Sequence, residues 1–250
     1  MREEGKYLYG IIRTDEERNF GPIGLGGRGV ESIAYGDLSA VISNAPMGKY
    51  VVNKENLLAH QRVLERVMND HAVLPVRFCT VAANAEEIRR LLERQYKELK
   101  HLLRDLDGKV ELGVKAVWRD MNLIFQEILD ENEEIKRLKA EIADKPARQT
   151  HNQRIAIGEM VQAALDAKKE REGHELLNGM KRISVDHRLG KSIGDKMLLN
   201  AAFLVDRARE REFDDLMERL DLRHRDRMKF VYVGPVPPYN FVNVTLRWDE

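Results

Sequence analysis

The hydrophobic period of the chain changes at Gly108, and this change narrows the choice of fold. Upstream, Asn84 and Glu87 have the spacing of a helix N-cap and its capping-box partner, and leucine and isoleucine then recur with helical spacing as far as Gly108. Downstream, residues 109–118 read KVELGVKAVW, in which apolar and polar residues alternate as in a half-buried strand. A helix and a strand must therefore share a core, which indicates the α+β class.

The segments before this helix also combine predicted strands with a predicted helix. Residues 6–12, KYLYGII, are rich in aromatic and β-branched side chains and predict a first strand, and two short strands separated at Gly36 follow a glycine-rich loop. Asn53 is a candidate cap for the next helix, and HAVLPVRFCTV at 71–81 predicts an interior strand. The order β-β-β-α-β-α-β predicts a ferredoxin-like α/β sandwich with an added strand as an N-terminal domain, residues 1–119.

The remaining residues, 120–250, predict a second α+β domain with a long helical hairpin. Two amphipathic stretches, 121–142 and 148–165, are separated by Pro146, which can end one helix and start another. Beyond them, MLLNAAFLV predicts a strand, REREFDDLMERL an amphipathic helix and MKFVYV another strand. The last segment, FVNVTLRW at 241–248, alternates as a terminal strand would.

Composition excludes several classes of partner. The 250 residues contain 42 Lys+Arg and 42 Asp+Glu, so no net field attracts nucleic acid or an anionic membrane. The aromatic residues of the predicted strands also lack the RNA-binding pattern of ferredoxin-like sheets. The single cysteine, Cys79, fits a reducing compartment, and neither a signal peptide nor a long apolar run is present, so we expect a cytoplasmic protein.

Candidate chemistry is sparse. Gly24, Gly26 and Gly29 match the GxGxxG pattern of dinucleotide sites, but extended VESIAY follows them where that site needs a helix. Leu57 and Leu64 share the predicted buried face of the helix after Asn53, and His60 falls between them on that face. His60 is interpreted as a hydrogen-bonded core residue, and Cys79 as a small buried side chain. Histidine, cysteine and carboxylate residues show no metal-ligand spacing. We therefore predict no catalytic, cofactor or metal site and no enzymatic activity.

Four sets of residues, taken together and in order, are similar to one known family. The sequence resembles the GvpL/GvpF family of gas vesicle proteins over nearly its whole length. The pattern VLPVRF combined with a terminal GPxPPYxF is the most specific part, and the chain departs from it at Cys79, where the family pattern has glycine. The matching stretches are YLYGII at 7–12 with IAYGDLSAVIS at 33–43, HAVLPVRFCTV at 71–81, LNAAFLVDR at 199–207 and GPVPPYNFV at 234–242.

The resemblance implies a non-enzymatic accessory protein of gas vesicle formation, without a cofactor, located in the cytoplasm and at the gas vesicle. It implies contact with the small hydrophobic shell protein of the vesicle wall and with other gas vesicle accessory proteins, but not with nucleic acid or a lipid membrane. An alternative is a small-molecule-sensing regulatory module, because ferredoxin-like domains often bind ligands.

Two of the family stretches supply candidate contact residues, and each also has a structural interpretation. An arginine in a strand can be an ion-pair partner, and aromatic residues in a turn can seal a junction between elements. Pro235 and Pro238 also have PxxP spacing, but they lie in the predicted connection between two strands, where their role is to stiffen the chain. The candidates are Arg77, Phe78, Pro237, Pro238, Tyr239 and Phe241.

Overall fold

The structure is a computed structural model that describes residues 4–48 and 50–248. Its strands are β1 (Glu4–Arg13), β2 (Asn19–Gly21), β3 (Val30–Tyr35), β4 (Leu38–Pro46), β5 (Val73–Pro75), β6 (Val81–Ala82), β7 (Lys109–Trp118), β8 (Asp186–Leu189), β9 (Met197–Asp206) and β10 (Met228–Val236). Its helices are α1 (Lys54–Met68), α2 (Ala85–Arg94), α3 (Tyr96–Leu106), α4 (Met121–Glu131), α5 (Glu133–Ile142), α6 (His151–Lys181) and α7 (Glu210–His224).

The residues divide into two compact units. The first contains the chain as far as Leu112, a short return segment Leu204–Ala208, and the chain from Gly234 onward. The second contains Gly113–Phe203 and Arg209–Val233. Both units combine helices with a sheet, so the α+β class is confirmed.

Strand β1 is the centre of the first unit. Its sheet has the order β2-β3-β4-β1-β5, and β6 also pairs with β1; the pairs of β1 with β4, β5 and β6 are all antiparallel. Residues 7–12 of β1 are all buried. A strand that is apolar on both faces needs cover on both sides, and this explains why YLYGII is a continuous apolar run rather than an alternating one.

A β-bulge in β1 distributes its side chains between two layers of helices. The pairing with β4 shifts between Leu8 and Gly10, so Tyr9 is an extra residue in the strand. Leu8 and Ile11, three residues apart, consequently belong to the same apolar cluster as the buried leucines of α2 and α3. On the α1 side, a Cβ at Gly10 would lie 2.8 Å from a methyl carbon of Leu64, so glycine permits the close approach of α1 to the sheet.

The ferredoxin-like element order occurs in the second unit, whereas the sequence analysis expected it in the N-terminal domain. Strand β7, helices α4–α6, strands β8 and β9, helix α7 and strand β10 follow one another as β-α-β-β-α-β, and the sheet order is β10-β7-β9-β8. The sheet of the first unit, β2-β3-β4-β1-β5, has a different order. The sequence of element types does not determine which strands become neighbours, and this is why the expectation and the structure differ.

Three predicted elements are interrupted. The predicted strand 71–81 is divided into β5 and β6 by an irregular loop, and the helix predicted from Asn84 is divided into α2 and α3 at Gln95. The first arm of the predicted helical hairpin divides into α4 and α5 at Asn132, whose side chain donates to the Ile128 carbonyl. In the second arm, α6 continues to Lys181, beyond its predicted end.

Residues 242–248, which we call the terminal segment, are extended but do not form the predicted strand. Val242, Val244, Leu246 and Trp248 are half-buried against the core cluster of the first unit, so the predicted alternation is present. Among the described residues, no backbone–backbone hydrogen bond involves this segment. The buried side chain of Gln95 replaces a partner strand: it donates to the Thr245 carbonyl at 3.0 Å and accepts from the Arg247 amide at 3.0 Å.

We expect Gln95→Ala to release the terminal segment, because it removes both hydrogen bonds that Gln95 makes to that segment. The emission of half-buried Trp248 should then shift to longer wavelength, while the emission of buried Trp118 stays constant. The free energy of unfolding should fall by about 1–2 kcal/mol. The matched control is Gln126→Ala on α4, since Gln126 is exposed and bonds only Asp130; equal spectra for the two variants would contradict this account.

Candidate protein-binding site

A buried chain of hydrogen bonds holds the loop between β5 and β6. The Cys79 amide donates to the Tyr7 hydroxyl at 3.0 Å, and the Tyr7 hydroxyl lies 3.0 Å from Nδ1 of His60. Nε2 of His60 lies 3.1 Å from the Val76 carbonyl, which can only accept. His60 therefore carries its proton on Nε2 and accepts from Tyr7 on Nδ1. Each polar atom in this series of hydrogen bonds has a partner.

This geometry confirms the interpretation of His60 as a core residue with satisfied hydrogen bonds. Its side chain is buried, and burial lowers its pKa from 6.5 to about 4, although the bond to the Val76 carbonyl opposes this shift. Burial also raises the pKa of the Tyr7 hydroxyl. Both groups are consequently neutral at pH 7, and they position the loop rather than exchange protons with a ligand.

Cys79 has a backbone conformation that favours glycine. Its φ is +73°, in the left-handed region, and it is the only non-glycine residue with positive φ in the described chain. The family resemblance implies glycine at this position, and the positive φ gives that expectation a conformational reason. The Cys79 sulfur accepts from the Tyr50 amide at 3.3 Å and thereby joins this loop to the chain before α1.

The glycine-rich loop at 21–29 has a structural role. Residues 25–27 form a single 3-10 turn and β3 follows, so the helix N-terminus of a dinucleotide site is missing from this part of the chain. The Leu25 amide donates to the Tyr9 hydroxyl at 2.9 Å, and that hydroxyl also bonds Ser43. A hydrogen bond to Tyr9 of β1 therefore holds the loop in place.

The GPVPPYNFV turn is anchored by a buried carboxylate. Glu111, on β7, accepts from the Asn240 backbone amide at 2.8 Å and from the Asn240 side chain at 2.5 Å. Burial raises the pKa of Glu111, and the two bonds from Asn240 oppose that shift. Pro237 and Pro238 are buried beside this anchor and line a small cavity of about 160 Å³.

An open groove of about 810 Å³ lies between the loop and the chain that follows the turn. Pro75, Arg77 and Thr80 line one side, and most of residues 239–248 line the other. Arg77 is exposed, and it carries the only formal charge among the described residues that line the groove. Its guanidinium has no hydrogen-bond or ion-pair partner in the described chain. The groove therefore presents one free cation beside polar and apolar walls.

The structure separates the predicted contact residues into three environments. Arg77 and Tyr239 line the groove together, and Tyr239 is 38% exposed. Phe78 is half-buried against the rings of Tyr7 and His60, and Phe241 packs against the core cluster. The two prolines, Pro237 and Pro238, are buried and so have a packing role. A contact role for the candidates stays a prediction, and the exposure of Arg77 and Tyr239 favours those two.

A second feature, which we call the apolar surface, lies on the chain that enters α1. Val52 and Leu57 occupy the two positions of a hydrophobic staple around the N-cap Asn53, yet they are 73% and 42% exposed. Leu57 was predicted for the buried face, and this expectation is wrong. The side chain of Asn56 donates to the Val51 carbonyl and folds the entering chain onto the first turn of α1. The apolar surface consists of Met47, Val51, Val52, Leu57 and Leu58.

Sequence reasoning missed an ion-pair network in the second unit. Lys168 is only 4% exposed and lies 3.0 Å from Glu127 and 2.6 Å from Glu131. Arg227 pairs with Glu127 and, at 2.7 Å, with Glu172, which also accepts from the Trp118 indole. Arg171, 3.8 Å from Glu131, adds a third cation, which balances the three carboxylates. The spacing of these residues in sequence offers no signal, because they come from α4, α6 and the turn before β10. The network fixes the packing of α4 against α6.

The described residues contain no group of three or more His, Cys, Asp or Glu side chains arranged to hold a metal ion. None of the helices in residues 4–48 and 50–248 has both the length and the apolar character needed to cross a membrane. The geometry thus defines an α+β protein whose notable surface features are a groove with a free arginine and an exposed apolar surface.

Comparison with known proteins identifies the family. The model of the family "Gas vesicle synthesis protein GvpL/GvpF" matches residues 5–243, and the chain belongs to this family. Gas vesicle protein F of Streptomyces sp. (strain CB03234) is 30% identical over 239 residues, covering 94% of this chain and 98% of that protein. Gas vesicle protein L of the same strain is 30% identical over 256 residues, covering 96% and 93%.

Solved structures of family members have the same fold. The crystal structure of GvpF from Anabaena sp. PCC7120 superposes with a TM-score of 0.85 at 26% identity, covering 97% of this chain and 99% of that one. GvpF from Microcystis aeruginosa superposes with a TM-score of 0.79 at 25% identity, covering 96% and 99%. The chain is therefore a gas vesicle-associated protein of the GvpL/GvpF family.

We expect His60 to make stability depend on pH. The folded state disfavours protonation of His60, with a pKa of about 4 against 6.5, so the unfolded state binds the extra proton in this interval. The contribution is complete above pH 6.5 and decreases as the pH falls towards 4, by an amount on the order of 3 kcal/mol. Urea denaturation at several pH values from 7.5 to about 4.5 measures it.

The His60→Gln variant is the matched comparison for this pH dependence. Glutamine can accept from Tyr7 and donate to Val76 but cannot titrate, so the difference in slope between the two proteins isolates His60 from the other histidines. Tyr7→Phe should lower stability while retaining the slope, because the buried histidine remains. Identical slopes for the wild type and His60→Gln would refute the assignment.

We expect Cys79→Gly to be more stable than Cys79→Ala by about 1 kcal/mol, because only glycine adopts the left-handed conformation without steric cost. Both variants lose the sulfur that accepts from Tyr50, so the comparison isolates the backbone effect. Denaturant unfolding of the two variants measures the difference. Equal stability would show that residue 79 is not strained.

Proposed function

We propose that this protein assists gas vesicle formation by binding the small hydrophobic shell protein of the vesicle wall through direct protein contacts. Membership of the GvpL/GvpF family supports a role in gas vesicle synthesis. The observation that carries the proposal is the apolar surface, on which five apolar side chains within residues 47–58 are 40–73% exposed. Exposed apolar side chains grouped in this way mark interaction sites on soluble proteins.

The physical need for such a helper follows from the nature of a gas-filled compartment. A subunit that faces gas must present an apolar surface, and before assembly that surface would drive aggregation in water. Temporary burial against another apolar surface lowers the exposed apolar area of both proteins, which is favourable by roughly 25 cal/mol per Å². Weak, reversible cover of this kind delivers the subunit without holding it permanently.

The position of the apolar surface suits this task. Val51 and Val52 lie on the chain before the N-cap Asn53, and Leu58 lies in the first turns of α1, so these side chains project from a backbone anchored at both ends. The Tyr50 amide, which bonds the Cys79 sulfur, connects this surface to the loop that carries Arg77 and Phe78. The predicted contact residues Arg77 and Phe78 therefore lie on a segment that is directly bonded to the chain of the apolar surface.

We expect a variant with Val51→Ser, Val52→Ser and Leu58→Ser to retain at most about one tenth of the shell protein that co-purifies with the wild type, since three exposed apolar side chains are lost. The bait is the tagged protein co-expressed with the shell protein of its own gas vesicle gene cluster. The control variant carries Val185→Ser, Ile193→Ser and Leu222→Ser in the second unit, where the replaced side chains are 53–74% exposed.

The outcomes of this experiment distinguish a failure of the proposed function from a failure of the proposed binding surface. If the wild type captures no shell protein, or if a deletion strain forms normal vesicles, the proposed function is overturned. If the control variant loses the shell protein and the Val51, Val52 and Leu58 variant keeps it, the binding surface lies in the second unit instead. Circular dichroism of each variant identifies any loss through unfolding.

A further inference from the structure

The groove between residues 75–80 and the terminal segment has properties that the proposed function does not use. Its volume of about 810 Å³ lies within the range of ligand sites, but it is open and lined by an extended chain rather than by a closed apolar shell. Such a shape fits an elongated ligand. The backbone of the terminal segment and the charge on the opposite wall indicate which class of elongated ligand the groove binds.

The terminal segment offers unused backbone hydrogen bonds. Residues 242–248 are extended, and among the described residues none of their amides or carbonyls bonds to another backbone group. The Gln95 side chain engages Thr245 and Arg247, and Arg94 approaches the Arg247 carbonyl at 3.5 Å. Within residues 4–48 and 50–248, the backbone of Val242–Val244 has no hydrogen-bond partner. An extended chain with free amides and carbonyls is a template for another extended chain.

The opposite wall carries the charge. Arg77 is exposed, has no partner among the described residues and is the only formally charged residue lining the groove in that part of the chain. The hydrogen-bond chain through Tyr7 and His60 holds the loop that carries it. A guanidinium pairs well with a carboxylate, with which it can form two parallel hydrogen bonds.

We propose that this groove binds an extended acidic peptide segment of a partner protein, which pairs with the backbone of the terminal segment and places a carboxylate against Arg77. The apolar side chains of the peptide, spaced two residues apart, contact Val242, Val244 and Trp248. This interaction is independent of the apolar surface on residues 47–58, so either assignment can fail without the other.

The test is a fluorescence titration of the full chain. The probe is a capped heptapeptide in which valine alternates with aspartate, and the readout is the emission of Trp248, which lines the groove. We expect a saturable change in emission that is lost in Trp248→Phe, since the remaining Trp118 is buried in the second unit. A peptide in which lysine replaces aspartate should bind at least about tenfold more weakly, since its charge repels Arg77.

Charge reversal makes the assignment specific. Arg77→Ala should weaken the aspartate peptide about fivefold, the upper range for a solvent-exposed ion pair, and Arg77→Glu should weaken it further while improving binding of the lysine peptide. Lys97→Glu is the matched control, because Lys97 is exposed on α3 of the same unit and does not line the groove. It should leave both affinities unchanged. Arg77 is exposed, so its variants should fold, and circular dichroism confirms this.

Several results would overturn the proposal. These are equal affinity for the aspartate and lysine peptides, an unchanged affinity in Arg77→Glu, and no saturable signal for any peptide below about 1 mM. A signal that instead depends on protein concentration, with a dimer in sedimentation velocity, would assign the groove to a second copy of this chain and would also contradict the acidic partner.

Discussion

The burial of β1 on both faces is the constraint on which the first unit depends. Because residues 7–12 have no solvent-facing side, their polar atoms must be satisfied internally. The Tyr7 hydroxyl meets this requirement through His60 and the Cys79 amide, and the Tyr9 hydroxyl through Ser43 and the Leu25 amide. The same bonds hold two loops in place. Strand β1 therefore determines the position of the loop between β5 and β6, although that loop is distant in sequence.

Sequence patterns predicted the features that arise from local physics. The alternation of KVELGVKAVW, the N-caps Asn53 and Asn84, and the two strands joined at Gly36 are all present. His60 was interpreted correctly because an apolar helix face predicts burial, and a buried histidine needs partners. The GvpL/GvpF resemblance was carried by segments such as VLPVRF and GPVPPYNFV, and the structure shows that both are held by buried polar groups, His60 and Glu111.

Nonlocal physics accounts for the features that the sequence did not predict. Strand order depends on which edges meet, so the same list of elements is compatible with a ferredoxin-like sheet in either unit. The terminal segment alternates like a strand, but a strand also needs a free sheet edge beside it, and here side chains, Gln95 and Arg94, bond its backbone instead. Leu57 matched the helical period of the buried face, yet that face begins to be covered only after it, near Ala59 and His60.

The placement of groups without internal partners indicates where the first unit can bind another molecule. The ion-pair network of the second unit is internally balanced, with three cations, Lys168, Arg171 and Arg227, and three carboxylates. In the part of the chain that the structure describes, the Arg77 guanidinium and the backbone of Val242–Val244 have no hydrogen-bond partner, and both lie along the groove in the first unit. A group without an internal partner keeps its full capacity for an external one, whereas a group that is already paired must first break a bond. Sites for partners are thus expected where the fold leaves hydrogen-bonding capacity unused, and the groove of the first unit has this property.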